Sequence, residues 1–273
     1  AAPPKLKANV RVFHMSYNAP NVDVVVDGTV AIKNLAFKAS SGYASLDAGS
    51  RKVTVTPAGK TTPVVITATL PLTANRDYSV FAVNRLSTIQ PLFIQDNRAP
   101  ISTQAKVRFV HASPDAPAVD IRIGSGTGAR VFSNRSFRQI SGYVAVNEGS
   151  YSFEVTPAGK TSVVVAFEAV KLEKGKVYTV VAHGTLNATD KYPFGVRAFV
   201  DNDPGSAFID LKPKVAPPVA KAKVRVIHMS YDAPNVDVAV DGTVAIKNLA
   251  FKASSGYATL NAGSRKVAVT PAG

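Results

Sequence analysis

The chain has 273 residues, no cysteine and a formal net charge of +14, which excludes a disulfide framework, a thiolate metal site and a cysteine nucleophile. The charge is spread along the chain: 11 Lys/Arg against 5 acids in residues 1–100, 13 against 10 in 101–213, and 8 against 3 in 214–273. That argues against one concentrated nucleic-acid grip. No apolar run approaches the ~18–20 residues of a membrane-spanning helix, and the longest candidates are stretches such as Val163-Val164-Val165-Ala166-Phe167.

In chain order, residues 1–9 read as a linker-like segment opening on Ala1-Ala2-Pro3-Pro4. Processing after a small residue leaves such an end, so an exported, secreted or cell-surface protein is expected. From residue 10 the pattern is β. Residues 10–13, 22–26, 53–56, 64–69 and 78–83 are short β-branched or aromatic runs bounded by Gly, Pro, Asn and Asp. Asp27-Gly28 marks a two-residue hairpin, because a type I′ turn needs positive φ at both central positions. Thr56-Pro57-Ala58-Gly59 marks a second turn. Residues 10–98 form a first repeat, expected to bury Val12, Val24, Val53, Val55, Tyr78 and Val80.

Residues 99–211 form a diverged second repeat, with the hairpin turn replaced by Gly124-Ser125-Gly126-Thr127-Gly128 and the second turn kept at Thr156-Pro157-Ala158-Gly159. Its strands are expected at 163–167, 177–183 and 196–200. The alternation in Lys106-Val107-Arg108-Phe109, and the run Arg135-Ser136-Phe137-Arg138, read as solvated strand faces. Residues 212–223 form a Pro-rich linker, favouring extended polyproline II. Residues 224–273 are a third, truncated repeat that differs from residues 10–59 at six of fifty positions. About seven or eight short strands per hundred residues, with turn signals every 8 to 12, predict an all-β chain of tandem immunoglobulin-like β-sandwich domains.

The run Val107-Arg108-Phe109-Val110-His111-Ala112-Ser113-Pro114-Asp115-Ala116-Pro117-Ala118-Val119-Asp120 carries a resemblance, together with Glu148-Gly149-Ser150-Tyr151 and Lys174-Gly175-Lys176-Val177-Tyr178-Thr179-Val180. It is similar to a bacterial and archaeal domain family of unknown function whose members occur in tandem on secreted and cell-surface proteins. The outer repeats depart from it at Met15-Ser16-Tyr17-Asn18 and Met229-Ser230-Tyr231-Asp232. The resemblance implies a β-sandwich and export, and brings no catalytic residues.

His14, Ser16 and Asp23 recur as His111, Ser113 and Asp120, and again as His228, Ser230 and Asp237. A hydrolase reading would have the histidine deprotonate the serine. Yet no Gly-x-Ser-x-Gly elbow presents that serine, and threefold recurrence suits a structural device that bonds turn backbone. The three histidines are therefore expected in equivalent shielded positions. One His and one Asp per repeat fall short of a metal site. Asp201-Asn202-Asp203-Pro204-Gly205 lacks the distal Glu of a calcium loop and reads as a turn. Gly124–Gly128 lacks the Lys-Ser/Thr of a phosphate cradle. Tryptophan is absent, leaving Tyr17, Tyr43, Tyr143 and Tyr257 for any stacking on sugar, and Asn134-Arg135-Ser136 and Asn187-Ala188-Thr189 are formal glycosylation sequons.

No catalytic, cofactor or metal residues are therefore assigned. The expected function is a non-enzymatic structural protein of a surface layer, matrix or filament, with further copies of itself as partners. The alternative is an adhesin for acidic polysaccharide or extracellular DNA. The third repeat lacks counterparts of residues 60–94, among them Val64, Ile66, Leu70, Leu72, Tyr78, Val80, Phe81, Val83, Leu92 and Phe93. At about 1.5–3 kcal/mol per buried side chain this exceeds the net stability of a typical domain. The expectation is completion by further chain or by strands of a neighbour.

Overall fold

The computed structural model describes residues 5–124, 128–186, 191–203, 207–214, 221–261 and 263–273, with the side chain of Asn261 left aside. The centre of the Gly124–Gly128 loop, the sequon at Asn187, the end of the Asp201–Gly205 turn and most of the Pro-rich linker lie outside those residues. Among the described residues there is no α-helix, and Leu86–Thr88 forms one short 3-10 turn. Two compact units are present, residues 1–214 and 215–273.

In the first repeat the strands are β1 (Lys7–His14), β2 (Val22–Val26), β3 (Thr29–Leu35), β4 (Ala44–Asp47), β5 (Gly49–Pro57), β6 (Ile66–Leu72), β7 (Asp77–Val83) and β8 (Gln90–Asp96). They make two four-stranded sheets, ordered β4-β1-β7-β8 and β3-β2-β5-β6. All pairings are antiparallel except β1 with β7, which run parallel with Val10 opposite Tyr78 and Arg11 opposite Ser79. Side chains alternate along a strand. Ala8, Val10 and Val12 of β1 therefore point between the sheets, where they meet Val22, Val24, Val53, Val55, Leu70, Tyr78 and Val80. All six expected core residues are buried. Val64, expected among the buried apolar residues, is 49% exposed, because β6 begins only at Ile66.

The second repeat contains β9 (Gln104–His111), β10 (Val119–Ile123), β11 (Arg130–Arg135), β12 (Val144–Asn147), β13 (Gly149–Tyr151), β14 (Phe153–Pro157), β15 (Val165–Ala166), β16 (Val170–Leu172), β17 (Val177–His183), β18 (Gly195–Val200) and β19 (Phe208–Leu211). One sheet runs β12-β9-β17-β18-β19, again with a parallel central pair placing Arg108 opposite Thr179. It faces β11-β10-β14-β15 across a core that includes Phe109, Ile121, Phe132, Val155, Phe167 and Leu172.

Asp27-Gly28 adopts the anticipated hairpin turn, with φ of 48° and 84°. Asn34 at φ 54° sits where the β2–β3 register shifts, and Asn134 and Asn248 repeat it at 50° and 52°. Asparagine tolerates this left-handed conformation better than most residues.

In the second compact unit, β20 (Lys221–Val224) pairs with β23 (Ala258–Asn261), and β21 (Val236–Val240) lies between β22 (Thr243–Leu249) and β24 (Val267–Pro271). Its buried apolar centre consists of Val236, Val238 and Leu249.

Candidate functional site

The outer face of β1 carries Asn9, Arg11 and Phe13, and that face is covered in its turn. Phe13, Met15, Phe81 and Val83 of the first repeat join Val110, Ala112, Val181 and Phe199 of the second in a single buried cluster. The Phe13 ring stacks on Phe81 at 4.4 Å between centroids and meets the edge of Phe199 at 4.8 Å. Both central sheets are thus buried on both sides, and the two repeats share an interior.

Charged residues lie inside this contact. Arg11 reaches across to Asp201, with Nη2 2.7 Å from Oδ1. Arg108 reaches the other way to Asp96, with Nη2 2.6 Å from Oδ1. Within the first repeat Arg11 Nε donates to Ser79 Oγ at 2.9 Å, and Ser79 donates to Asp96 Oδ2 at 2.7 Å. Within the second, Arg108 Nε donates to Thr179 Oγ1 at 2.8 Å, and Thr179 donates to Asp201 Oδ2 at 2.6 Å. Tyr43 and Tyr143 complete the set, donating to Asp96 and Asp201 at 2.6 Å each and lying under the guanidinium groups of Arg11 and Arg108 at 4.6 and 4.7 Å. The arrangement is pseudo-two-fold: each arginine leans on a hydroxyl of its own sheet and ion-pairs with the other repeat's aspartate. Two positive and two negative groups cancel. Burial pushes the ionisation of both tyrosines well above its ordinary range, so they remain donors.

This corrects the solvated-face reading of Lys106-Val107-Arg108-Phe109. Arg108 is 1% and Lys106 7% exposed. Lys106 Nζ donates to the carbonyls of Asn97 and Ala99 at 2.9 Å each, anchoring the short connection between the repeats. The alternation of charged and apolar residues is the same for a face in water and a face against a second sheet carrying opposite charges. Phe137, from the other basic run, packs against the shared cluster.

His14, His111 and His228 are 0%, 0% and 6% exposed and occupy equivalent places. Each Nε2 faces a carbonyl six residues on, Pro20 at 2.9 Å, Pro117 at 3.2 Å and Pro234 at 2.9 Å. A carbonyl can only accept, so Nε2 carries the proton. Nδ1 is then free to accept, as it does from the Ser16 and Ser230 amides at 3.4 and 3.3 Å. Burial pushes the His14 and His111 pKa down. The aspartates are engaged elsewhere. Asp23 accepts the amides of Asn34 at 2.7 Å and Gly59 at 2.8 Å, and Asp120 those of Asn134 at 2.8 Å and Gly159 at 3.0 Å. The Asn34 and Gly59 amides hold the Asp23 carboxyl below the usual carboxylate range. Histidine, serine and aspartate are therefore not joined into a relay. The histidine ties the Ala-Pro bend, and the aspartate ties the asparagine bulge to the Thr-Pro-Ala-Gly turn. Among the described residues no three His, Asp or Glu side chains are grouped as metal ligands.

Of the four tyrosines considered for sugar stacking, Tyr43 and Tyr143 are committed to the ionic network. Tyr17 borders a cleft of about 590 Å³, with Asn18, Asn21, Phe37, Lys191 and Tyr192. Tyr257 is 65% exposed.

A family profile described as a domain of unknown function, DUF4397, matches residues 8–122, 126–208 and 222–273. The chain belongs to the DUF4397 family. No curated protein matches the sequence. Among solved structures, the Bacillus anthracis TIE protein is 9% identical with a TM-score of 0.21, covering 98% of this chain and 45% of that one. The chain thus spans less than half of that protein, and a likeness of this size carries no argument. The first matched segment runs through the first repeat and on to Arg122 of β10, so Arg11, Asp96 and Arg108 lie in it and Asp201 in the second.

Proposed function

We propose that this DUF4397 chain is an exported, non-enzymatic structural protein that assembles with copies of itself into a surface layer, matrix or filament, built from β-sandwich repeats that pack in pairs. The observation that carries the reading is the third repeat. Its sequence nearly duplicates the first, yet Val267 and Val269 are 58% and 59% exposed where Val53 and Val55 are 5% and 4%. Exposed apolar strands of this kind are templates for pairing with another chain. The test is sedimentation and negative-stain microscopy of purified protein over a range of concentrations. Ordered, concentration-dependent polymers are expected, and a monomer at every concentration overturns the reading.

A second reading is an adhesin. What favours it is the net charge of +14 and the cleft that sets Tyr17, Phe37 and Tyr192 beside Asn18, Asn21 and Lys191. Aromatic faces beside amides suit a sugar ring, and Lys191 suits an acidic one. Binding to an acidic polysaccharide that weakens steeply with salt and falls on Tyr192→Ala would favour this reading over the first.

A further inference from the structure

The third repeat carries the face by which the first repeat holds the second. In the first repeat that face consists of Arg11, Phe13, Met15, Phe37 and Tyr43. Arg11 and Phe13 contact the second repeat through Asp201 and Phe199, Met15 lies in the shared cluster, and Phe37 packs edge-on to His183 at 5.7 Å and against Tyr192 at 4.7 Å. The corresponding residues are Arg225, Ile227, Met229, Phe251 and Tyr257, and only Phe13 has changed, to isoleucine. Arg225 stacks on Tyr257 at 5.1 Å, as Arg11 does on Tyr43. The difference is exposure. Phe13 and Met15 are fully buried, whereas Ile227, Met229, Phe251 and Tyr257 are 48%, 68%, 37% and 65% exposed.

We propose that this face is a docking surface for a repeat of the second type, one presenting the equivalents of Asp201, Thr179, Tyr143 and Phe199. The inference deepens the assembly reading and rests on it, because it names the face and the partner through which the third repeat assembles. The choice of occupant follows from the chemistry already seen. An arginine lying on a tyrosine within an apolar rim needs a carboxylate and an aromatic edge opposite it, and the second repeat supplies both to Arg11. A purely apolar partner would leave the guanidinium buried without an ion pair, which is strongly unfavourable. A repeat of the first type carries the carboxylate, at Asp96, but sets Val83 and Ile94 where the second sets His183 and Phe199, so the rings that Phe37 and Phe13 meet would be missing.

The test extends the full chain after Gly273 by a second copy of residues 60–214, so that the candidate partner is present at high local concentration. Amide exchange is then followed by residue. In the extended chain, exchange in residues 224–271 is expected to slow by at least about a hundredfold relative to a chain extended by residues 60–98 alone, which completes the third repeat without supplying the partner. Arg225→Asp should remove that protection, and changing the appended equivalent of Asp201 to Arg in the same molecule should restore it. The restored double variant separates docking from a simple failure to fold. Absence of protection, or protection that Arg225→Asp leaves untouched, overturns the proposal. Protection that rises with concentration in the 273-residue chain and that Arg225→Asp leaves untouched also overturns it, since a different surface would then be the one covered. The assembly reading fails separately. Polymers of the 273-residue chain that ignore Arg225→Asp sink only the docking face, whereas a protected extended chain with no polymers from the 273-residue form sinks only the assembly.

Discussion

Asp201 is the residue on which the pairing of the two repeats most depends, since it accepts from Arg11 at 2.7 Å and from Thr179 and Tyr143 at 2.6 Å each. Asp201→Ala leaves the Arg11 guanidinium, 3% exposed, without its carboxylate. Breaking one side of a buried pair costs about 3–5 kcal/mol, and a loss of that size in urea unfolding of the full chain is expected. A change under about 1 kcal/mol would mean that water reaches the site. His183 gives a second prediction at this scale. Burial, and then the charges of Lys38 and Arg197, push its pKa down to about 3, against the weaker opposing pull of Asp210. The folded state thus keeps the imidazole neutral while the unfolded chain takes up a proton near pH 6.5. Its contribution is full above that pH and is lost as the pH falls toward 3. Unfolding free energy should decline between pH 6.5 and 5 by up to about 1.4 kcal/mol per pH unit from this group, with His14 and His111 acting in the same direction. His183→Val should flatten the slope, and an unchanged slope would refute the assignment. The shielded histidines were legible from their place in each repeat. The burial of Arg108 was not, because one sequence does not say what a charged strand face is set against.

Strands show the same division between local and distant information. Asp27-Gly28 is a hairpin signal complete in two residues, and β2 begins and ends where its β-branched run does. β4, with sequence Ala-Ser-Leu-Asp, carries no such run and exists because β1 offers it an edge, with Val10 opposite Ala44. The parallel β1–β7 pairing joins residues almost seventy apart and has no local signal. Its consequence appears in the third repeat. β1 extends to His14 because β7 holds its second half, whereas β20 stops at Val224, where its pairing with β23 ends. Asn34 permits a direct test of an element boundary. At φ 54°, where its amide is accepted by Asp23, a β-branched side chain is strained by roughly 1–2 kcal/mol. Asn34→Val should destabilise the chain by about that much in denaturant unfolding, while Asn34→Gly should stay within a few tenths. Equal effects would place the cost in the lost side-chain contact with Asn21 and not in the backbone.

At the scale of the whole chain, the sequence pattern divides the first 211 residues into two sandwiches, each with a complete set of core strands. What the pattern does not convey is that each also has a second buried face, completed only by the other. An isolated first repeat would expose Phe13, Met15, Phe81 and Val83, with Arg11 and Asp96 among them, all now buried. Solvating the charges would offset little of the lost apolar burial, at about 1.5–3 kcal/mol per large side chain. Separation of folded repeats should therefore be rare, and the two should unfold together. This can be decided by size. Unfolding enthalpy near 60 °C is about 0.7 kcal/mol per residue, so residues 1–214, the larger compact unit, should melt with a van't Hoff enthalpy of ~150 kcal/mol if they form one cooperative body. Two independent sandwiches would each give about half of that. Calorimetry of the full chain should show one main transition whose calorimetric and van't Hoff enthalpies agree at the larger figure. Phe13→Asp, which places a charge in the shared apolar cluster, should divide it into two transitions of roughly half the enthalpy. Two transitions in the unmodified chain would mean that the cross-wired arginines and aspartates hold the repeats in register without coupling their stability.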